Sequence, residues 1–168
     1  AVCSVGATTV TMLGAGTCTI AANQAGDGNY NAAAEVRQSI AIGSAASTIA
    51  LAASTTTPTV DDLVTLTATV TGQAPTGTVT IKDGGTVLCD RITLVTNGNT
   101  ATATCGTNFA TAGSRNLAAA YSGDADNAAQ NAAPLTIDVG LKCAAMSLTA
   151  TPASISVGQN LTVTATVS

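Results

Sequence analysis

The stretch "LVTLTATVTGQAPTGTVTIKDGG" at residues 63–85 decides the fold of this chain. Between residues 64 and 70 valine, leucine and alanine alternate with threonine, and this period of two predicts a strand with one buried face. After a loop with Gly and Pro, residues 78–83 alternate again, and two glycines then supply a tight turn. Lys82 falls on the outward register, which disfavours an isopeptide bond because that bond needs a buried lysine.

Segments with the same alternation lie on both sides of this pair. The sequence predicts strands at residues 47–54, 63–72, 78–83, 86–95 (as one strand or two short ones), 100–105, 114–123 and 134–139. Seven or eight short strands at this spacing, without a useful length of helical periodicity, are typical of an all-β sandwich. The residues expected in its core are Val64, Leu66, Val79, Ile81, Leu117, Tyr121, Leu135 and Ile137.

The composition limits both the core and the possible partners. Hydrophobic residues make up 46% of the 168 positions but aromatic residues only 2%, so the core is built from small side chains. A buried methylene contributes only about 0.8 kcal/mol, and such a core is expected to need cross-links or neighbouring domains. Five basic residues and a net charge of −4 exclude a phosphate-binding patch, so no nucleic-acid partner is expected.

No apolar run approaches the roughly 20 residues that a membrane-spanning helix needs. The first ten residues also lack the basic and apolar regions of a signal peptide. A secretion signal is therefore expected outside this segment if the protein is exported. Low charge with abundant Thr, Ser, Ala, Gly and Asn suits an extracellular β-protein.

Two stretches of the chain recur at an offset of 97 residues without gaps. Residues 16–33, "GTCTIAANQAGDGNYNAA", align with residues 113–130, "GSRNLAAAYSGDADNAAQ". Residues 51–70 align with residues 148–167, and these matches end in "VTLTATV" and "LTVTATV". A unit of about 97 residues is the size of an immunoglobulin-type sandwich.

This offset divides the chain into three parts. Residues 44–140 are predicted to form one complete unit, residues 1–43 the later strands of a preceding unit, and residues 141–168 the early strands of a following unit. The connections at 40–47 and 137–145 are short, which predicts limited bending between units. Each partial unit would expose unpaired strand edges, which are templates for association.

Two arrangements could complete the partial units. Separate subunits could join head to tail in an open filament, or the segment could belong to a much longer polypeptide. The two ends together lack counterparts of residues 71–97, so the longer polypeptide is favoured and a fibrous assembly is plausible under either arrangement.

The order of several motifs resembles the bacterial immunoglobulin-like (Big-type) tandem repeat domain of cell-surface and extracellular proteins. The motifs are "STIALAAS", "VTLTATVTG", "PTGTVTIKDGGTVL", the Asn-Gly hairpin of "TNGN" and "AAAYSGDADNAAQNAA". The resemblance implies immunoglobulin-like β-sandwich repeats in tandem, acting as an extracellular spacer or stalk without catalysis.

The partners expected from this resemblance are neighbouring immunoglobulin-like repeats of the same chain or fibre. One alternative is an adhesin module whose loops 72–77 and 123–133 contact a host or surface receptor. Another is an accessory module of a secreted enzyme whose catalytic domain lies elsewhere.

Five cysteines are present, and their spacing favours disulfide bonds over a metal site. None occurs in a C-x-x-C motif and the chain has no histidine, so zinc is poorly supported. The near-equal separations predict Cys3–Cys18 and Cys89–Cys105 bridges, which leaves Cys143 unpaired or bonded to another molecule. The alternative is that all are buried free thiols.

The second of these bridges is also expected from the Asn-Gly hairpin. With a three-residue loop, Val95 pairs with Asn99, and the register then places Cys89 opposite Cys105 on neighbouring strands. Cβ atoms of opposite residues are slightly too far apart for a disulfide, so this geometry requires a small local distortion.

No catalytic constellation is present in the sequence. Without histidine, neither a Ser-His nor a Cys-His pair can form, so the protein is not expected to be an enzyme. The carboxylate pairs Asp61/Asp62 and Asp124/Asp126 are better explained as solvated turn formers than as an acid–base pair. No cofactor is expected, although the oxygen-rich loops around Asp27, Asp124 and Asp126 are weak candidates for structural calcium.

Overall fold

The computed structural model describes residues 1–167, which form fifteen β-strands and no helix. The strands are β1 (Cys3–Gly6), β2 (Thr9–Met12), β3 (Gly16–Gln24), β4 (Ala33–Ile42), β5 (Thr48–Ala53), β6 (Val64–Thr71), β7 (Thr78–Asp83), β8 (Thr86–Thr93), β9 (Val95–Asn97), β10 (Thr100–Thr107), β11 (Gly113–Tyr121), β12 (Gln130–Asn131), β13 (Leu135–Val139), β14 (Met146–Thr151) and β15 (Thr162–Val167). Among the described residues, no helix is long and apolar enough to cross a membrane.

Residues 44–140 form two antiparallel sheets with a shared core, and we call this part the central sandwich. The first sheet has the strand order β5-β6-β10-β9. The second has the order β12-β11-β7-β8, and β13 also pairs with β11. An isolated parallel bridge between Thr59 and Gly140 joins the β5–β6 connection to the end of β13. The all-β sandwich predicted from the alternating segments is therefore the fold of this part of the chain.

The predicted strand at 86–95 is divided between the two sheets. β8 ends at Thr93 in the second sheet, and β9 begins at Val95 in the first. Leu94 lies between them with its side chain buried, and its backbone amide donates a hydrogen bond to the carbonyl of Gly77. The chain therefore crosses from one sheet to the other within a single residue.

The side chains expected in the core are buried with one exception. Leu66, Ile81, Leu117 and Ile137 have no exposed surface. Leu135 is only half-buried, and the prediction that it is a core residue was wrong because it packs at the margin of the sandwich. The buried residues that form the apolar core of the central sandwich are Ile49, Val64, Leu66, Ala68, Val70, Val79, Ile81, Cys89, Leu94, Ala101, Ala103, Phe109, Leu117, Ala119, Tyr121, Ile137 and Val139.

The hairpin between β9 and β10 has a tighter turn than the sequence predicted. Asn97 pairs with Thr100, so the turn contains only Gly98 and Asn99, with Gly98 at φ 60°. A two-residue turn with glycine at its first position follows the right-handed twist of the strands. The predicted pairing of Val95 with Asn99 was wrong, and Val95 instead pairs with Thr102.

Strand bounds and register recur at the 97-residue offset. β3 begins and ends 97 residues before β11, and both first glycines, Gly16 and Gly113, have φ near 130°. Gly16 pairs with Ile42 as Gly113 pairs with Val139. Likewise, β14 pairs with β15 in the same register as β5 pairs with β6, with every residue number higher by 97.

The segments on either side of the central sandwich bury little of their apolar surface. We call residues 1–43 the N-terminal segment and residues 141–167 the C-terminal segment. Leu148 and Val163 of the C-terminal segment are 71% and 54% exposed. Their counterparts at the 97-residue offset, Leu51 and Leu66, belong to the core or pack against it. The equivalent face is therefore covered in the central sandwich and open in the C-terminal segment.

Candidate functional site

Polar side chains converge where the loop between β11 and β12 meets the loop between β6 and β7. We call residues 122–128 the Asp124 loop and residues 72–77 the 72–77 loop. Asp124 Oδ1 accepts hydrogen bonds from the backbone amides of Asp126 at 2.9 Å and Asn127 at 2.8 Å. Side-chain oxygens that bind amides two and three residues ahead stabilise a turn without neighbouring strands.

The other oxygen of Asp124 connects the two loops. Oδ2 accepts hydrogen bonds from the backbone amide of Thr76 at 2.7 Å, from its hydroxyl at 2.9 Å and from the hydroxyl of Tyr121 at 3.1 Å. The Tyr121 ring belongs to the core, so these bonds join the core to both loops. Both oxygens are thus used within the sandwich.

Asn127 forms a second connection between the same loops. Its side chain is 1% exposed, its Oδ1 accepts from the amide of Gln73 at 2.7 Å, and its Nδ2 donates to the carbonyl of Gln73 at 2.9 Å. A Cβ atom at Gly72 would overlap the Asn127 side chain, so glycine is required where the loop passes over the amide. A buried amide with both ends bonded orders the loop, whereas a buried amide without partners would be costly.

These contacts shift the pKa values of two groups. Burial alone would raise the pKa of Asp124, but hydrogen bonds from Thr76 and Asn127 outweigh burial and hold it below its ordinary value of 3.8. Burial, together with the hydrogen bond to the Asp124 carboxylate and its negative charge, raises the pKa of Tyr121 to about 12. Ionised Asp124 beside neutral Tyr121 is therefore the stable state over a wide pH range.

The loop at residues 26–30 repeats the local turn of the Asp124 loop. Asp27 Oδ1 accepts from the amides of Asn29 at 2.8 Å and Tyr30 at 3.0 Å, and the Asp27 amide donates to the Tyr30 carbonyl at 2.9 Å. The corresponding backbone bond from Asp124 to Asn127 is also 2.9 Å. Among the described residues, however, Asp27 has no contact like that of Asp124 with Thr76, and it lies exposed.

The structure does not bring the calcium candidates together. Asp124 uses its oxygens within the sandwich, Asp27 closes its own turn, and Asp126 Oδ1 accepts from the amide of Ala15 at 2.7 Å. Asp62, of the carboxylate pair Asp61/Asp62, accepts hydrogen bonds from the hydroxyl and the amide of Thr59, and these bonds lower its pKa. Nowhere in residues 1–167 do three or more His, Cys, Asp or Glu residues form a group suited to a metal ion.

Both predicted disulfides are present, but one has a different geometry from the one expected. Cys89 lies in β8 of the second sheet and Cys105 in β10 of the first, with Cα atoms 6.5 Å apart. The bridge therefore joins the two sheets, and the prediction that it spans a hairpin was wrong. Cys3 and Cys18 join β1 to β3 with Cα atoms 5.7 Å apart, and Cys143 is free and exposed.

Other residues considered from the sequence have simpler surroundings. Lys82 pairs with Ala118 across the second sheet and its side chain is exposed, as the outward register predicted. Thr76 and Asn127, which complete the loop contacts, were not singled out from the sequence. The signal was the Asp-x-x-Asn spacing of 124–127, but nothing in that spacing indicates that Thr76 lies nearby.

Comparison with known families agrees with the fold. A family model described as bacterial Ig-like domain (group 3) matches residues 51–140, which fall within the central sandwich. A search of the curated proteins found no match.

Proposed function

The chain belongs to the bacterial Ig-like domain (group 3) family, and from this we propose that it is a non-enzymatic structural segment of a bacterial extracellular or cell-surface fibre or stalk. In this proposal the fibre is built of immunoglobulin-like units in tandem. Residues 44–140 are one complete unit, and the N- and C-terminal segments are parts of its neighbours. The unit holds its neighbours at a fixed spacing and catalyses no reaction.

The recurrence of strand register at 97 residues supports this proposal most strongly. In the N-terminal segment, β3 pairs with β4 in the same way as β11 pairs with β13 and β12. The pairing register of β3 shifts between Ala22 and Gln24, and that of β11 shifts at the corresponding place, between Leu117 and Ala120. The C-terminal segment repeats the β5–β6 pairing. The C-terminal segment exposes the face that the central sandwich buries, and in the N-terminal segment Ile40, the counterpart of buried Ile137, is exposed while Ile20 is half-buried. This partial burial is expected of units that are completed by further strands.

The loop contacts favour a structural role over an adhesin site. The polar atoms of the 72–77 and Asp124 loops, which were candidates for receptor contact, bond to one another. A ligand would have to compete with these internal bonds. Two disulfides also fit an oxidising compartment outside the cytoplasm.

The size of the native polypeptide tests the tandem arrangement. We would analyse reduced native material on a denaturing gel with an antibody against the central sandwich, with and without protease treatment of intact cells. We expect a band much larger than 16.2 kDa that the protease removes. A discrete band at the segment's own mass would exclude the long chain, and complete protection from protease would exclude the cell surface.

A further inference from the structure

The N-terminal segment is bonded to the central sandwich through Asp126. The backbone amide of Ala15 donates to Asp126 Oδ1 at 2.7 Å across 111 positions of sequence. Around this bond lies a cleft of about 240 Å³, lined on one side by Met12, Leu13 and Ile42 and on the other by residues that include Gln73. A hydrogen bond to a charged carboxylate is stronger than one between neutral groups.

The loop that carries Asp126 is itself held from two directions. The amide of Ala45, two residues beyond the N-terminal segment, donates to the Asp126 carbonyl at 2.8 Å, and the amide of Ala128 donates to the Ala45 carbonyl at 2.9 Å. Asp124 and Asn127 tie the same loop to the 72–77 loop. The carboxylate of Asp126 is therefore presented by an ordered backbone, close to the point where the chain enters the sandwich.

The N-terminal segment requires a small residue where it passes the Asp126 carboxylate. A Cβ atom at Gly14 would lie 2.8 Å from Asp126 Oδ1, closer than side chains normally approach. At the 97-residue offset, Gly14 corresponds to Thr111, whose carbonyl and hydroxyl both accept hydrogen bonds from Arg115 Nη2. The central sandwich therefore has a larger residue at the position equivalent to Gly14, and that residue is already hydrogen-bonded within its own unit.

We propose that Asp126 locks the junction between the N-terminal segment and the central sandwich. The N-terminal segment and the central sandwich move as one body because Asp126 holds Ala15. Asp126 is therefore the positioning residue of this junction. The inference stands whether or not the parent protein is a surface fibre.

Backbone ¹⁵N relaxation and amide hydrogen exchange on the whole 168-residue chain test the proposal. In the unaltered protein we expect β3 and β4 to share the rotational correlation time of the sandwich. Asp126→Ala is expected to reduce protection of the Ala15 amide about tenfold or more, as for loss of a hydrogen bond to a charged group. It should also shorten the correlation time of the N-terminal segment. Asp138→Ala removes an exposed carboxylate on β13 and is the matched control, for which neither change is expected.

Gly14→Ala disturbs the same contact from the N-terminal segment. It is needed because Asp126→Ala also alters the loop that carries Asp126. It displaces the carboxylate without altering the sandwich, and we expect the same loss of protection at Ala15. Unchanged Ala15 protection in both variants would overturn the lock. A shorter correlation time for β3 and β4 than for the sandwich in the unaltered protein would also overturn it.

Discussion

Asp124 accepts hydrogen bonds from both the backbone amide and the hydroxyl of Thr76, at 2.7 and 2.9 Å, although the two residues are 48 positions apart. The two bonds join the loop after β6 to the loop after β11. Each loop thereby limits the conformations of the other, and these bonds order the end of the sandwich that faces the N-terminal segment.

Replacing Asp124 by alanine is expected to destabilise the central sandwich by about 1–3 kcal/mol, because the donors from Thr76, Tyr121 and Asn127 lose their acceptor. Urea unfolding followed by circular dichroism measures the loss. Asp27→Ala is the matched control, since Asp27 forms the same local turn on an exposed loop without a second loop to hold. Equal effects of the two substitutions would show that the bonds to Thr76 contribute nothing.

Acid is expected to weaken the sandwich through the same carboxylate. The folded state lowers the pKa of Asp124 below 3.8, so it favours the ionised form, and the resulting stability is present above about pH 4. This stability is lost as the pH falls from there through the lower folded value. Asp62, whose pKa is also lowered, contributes in the same direction. We expect the free energy of unfolding to fall below pH 4 less steeply in Asp124→Asn, and parallel curves would contradict this.

Alkali is expected to act through Tyr121 with the opposite sign. Folding raises its pKa from 10.0 to about 12, so the folded state favours the neutral phenol. Its contribution to stability is present below pH 10 and is lost as the pH rises from 10 towards 12. Subtracting the ultraviolet titration of Tyr121→Phe from that of the unaltered protein isolates this group, because the chain has only two tyrosines. A difference curve centred near pH 10 would contradict the expected shift.

The core substitution Leu66→Ala tests which face of β6 is buried. Leu66 has no exposed surface, and truncating a buried leucine costs about 2–5 kcal/mol. Leu63, on the same stretch but 74% exposed, provides a control of identical chemistry, and Leu63→Ala is expected to change stability by no more than about 0.5 kcal/mol. Thermal or urea unfolding of both variants distinguishes them, and a reversed order would mean that the faces are assigned wrongly.

How far the sequence could predict this fold depends on what each signal encodes. Residues 78–83 form β7 with the predicted bounds, because alternation defines the strand and two glycines end it. The crossing at Leu94 could not be predicted, since a strand that changes sheet keeps its alternation. For that reason the Cys89–Cys105 pair was predicted with the wrong register, although the two cysteines are joined.

The candidate site was harder to predict than the fold. An Asp-rich loop offers the same oxygens to a cation and to backbone amides, and composition does not distinguish these uses. In the structure the amides of Thr76 and Ala15 take two of the candidate carboxylates, and both amides are distant in sequence from the aspartates they bind. Contacts of this kind depend on the packing of sheets and segments, which no local pattern records.

The two disulfides are expected to stabilise different parts of the chain. The Cys89–Cys105 bridge closes a loop with a sequence separation of 16 between opposite sheets, and removing such a bridge costs about 2–4 kcal/mol. The double variant Cys89→Ala/Cys105→Ala is therefore expected to lower the urea midpoint of the central sandwich. Cys3→Ala/Cys18→Ala removes a bridge of nearly equal separation from the N-terminal segment and serves as the matched control, leaving that midpoint unchanged. Peptide mapping without reduction establishes the pairing first. Recovery of Cys89 and Cys105 as free thiols from native material, or equal destabilisation by the two double variants, would contradict the assignment of the first bridge to the core of the sandwich.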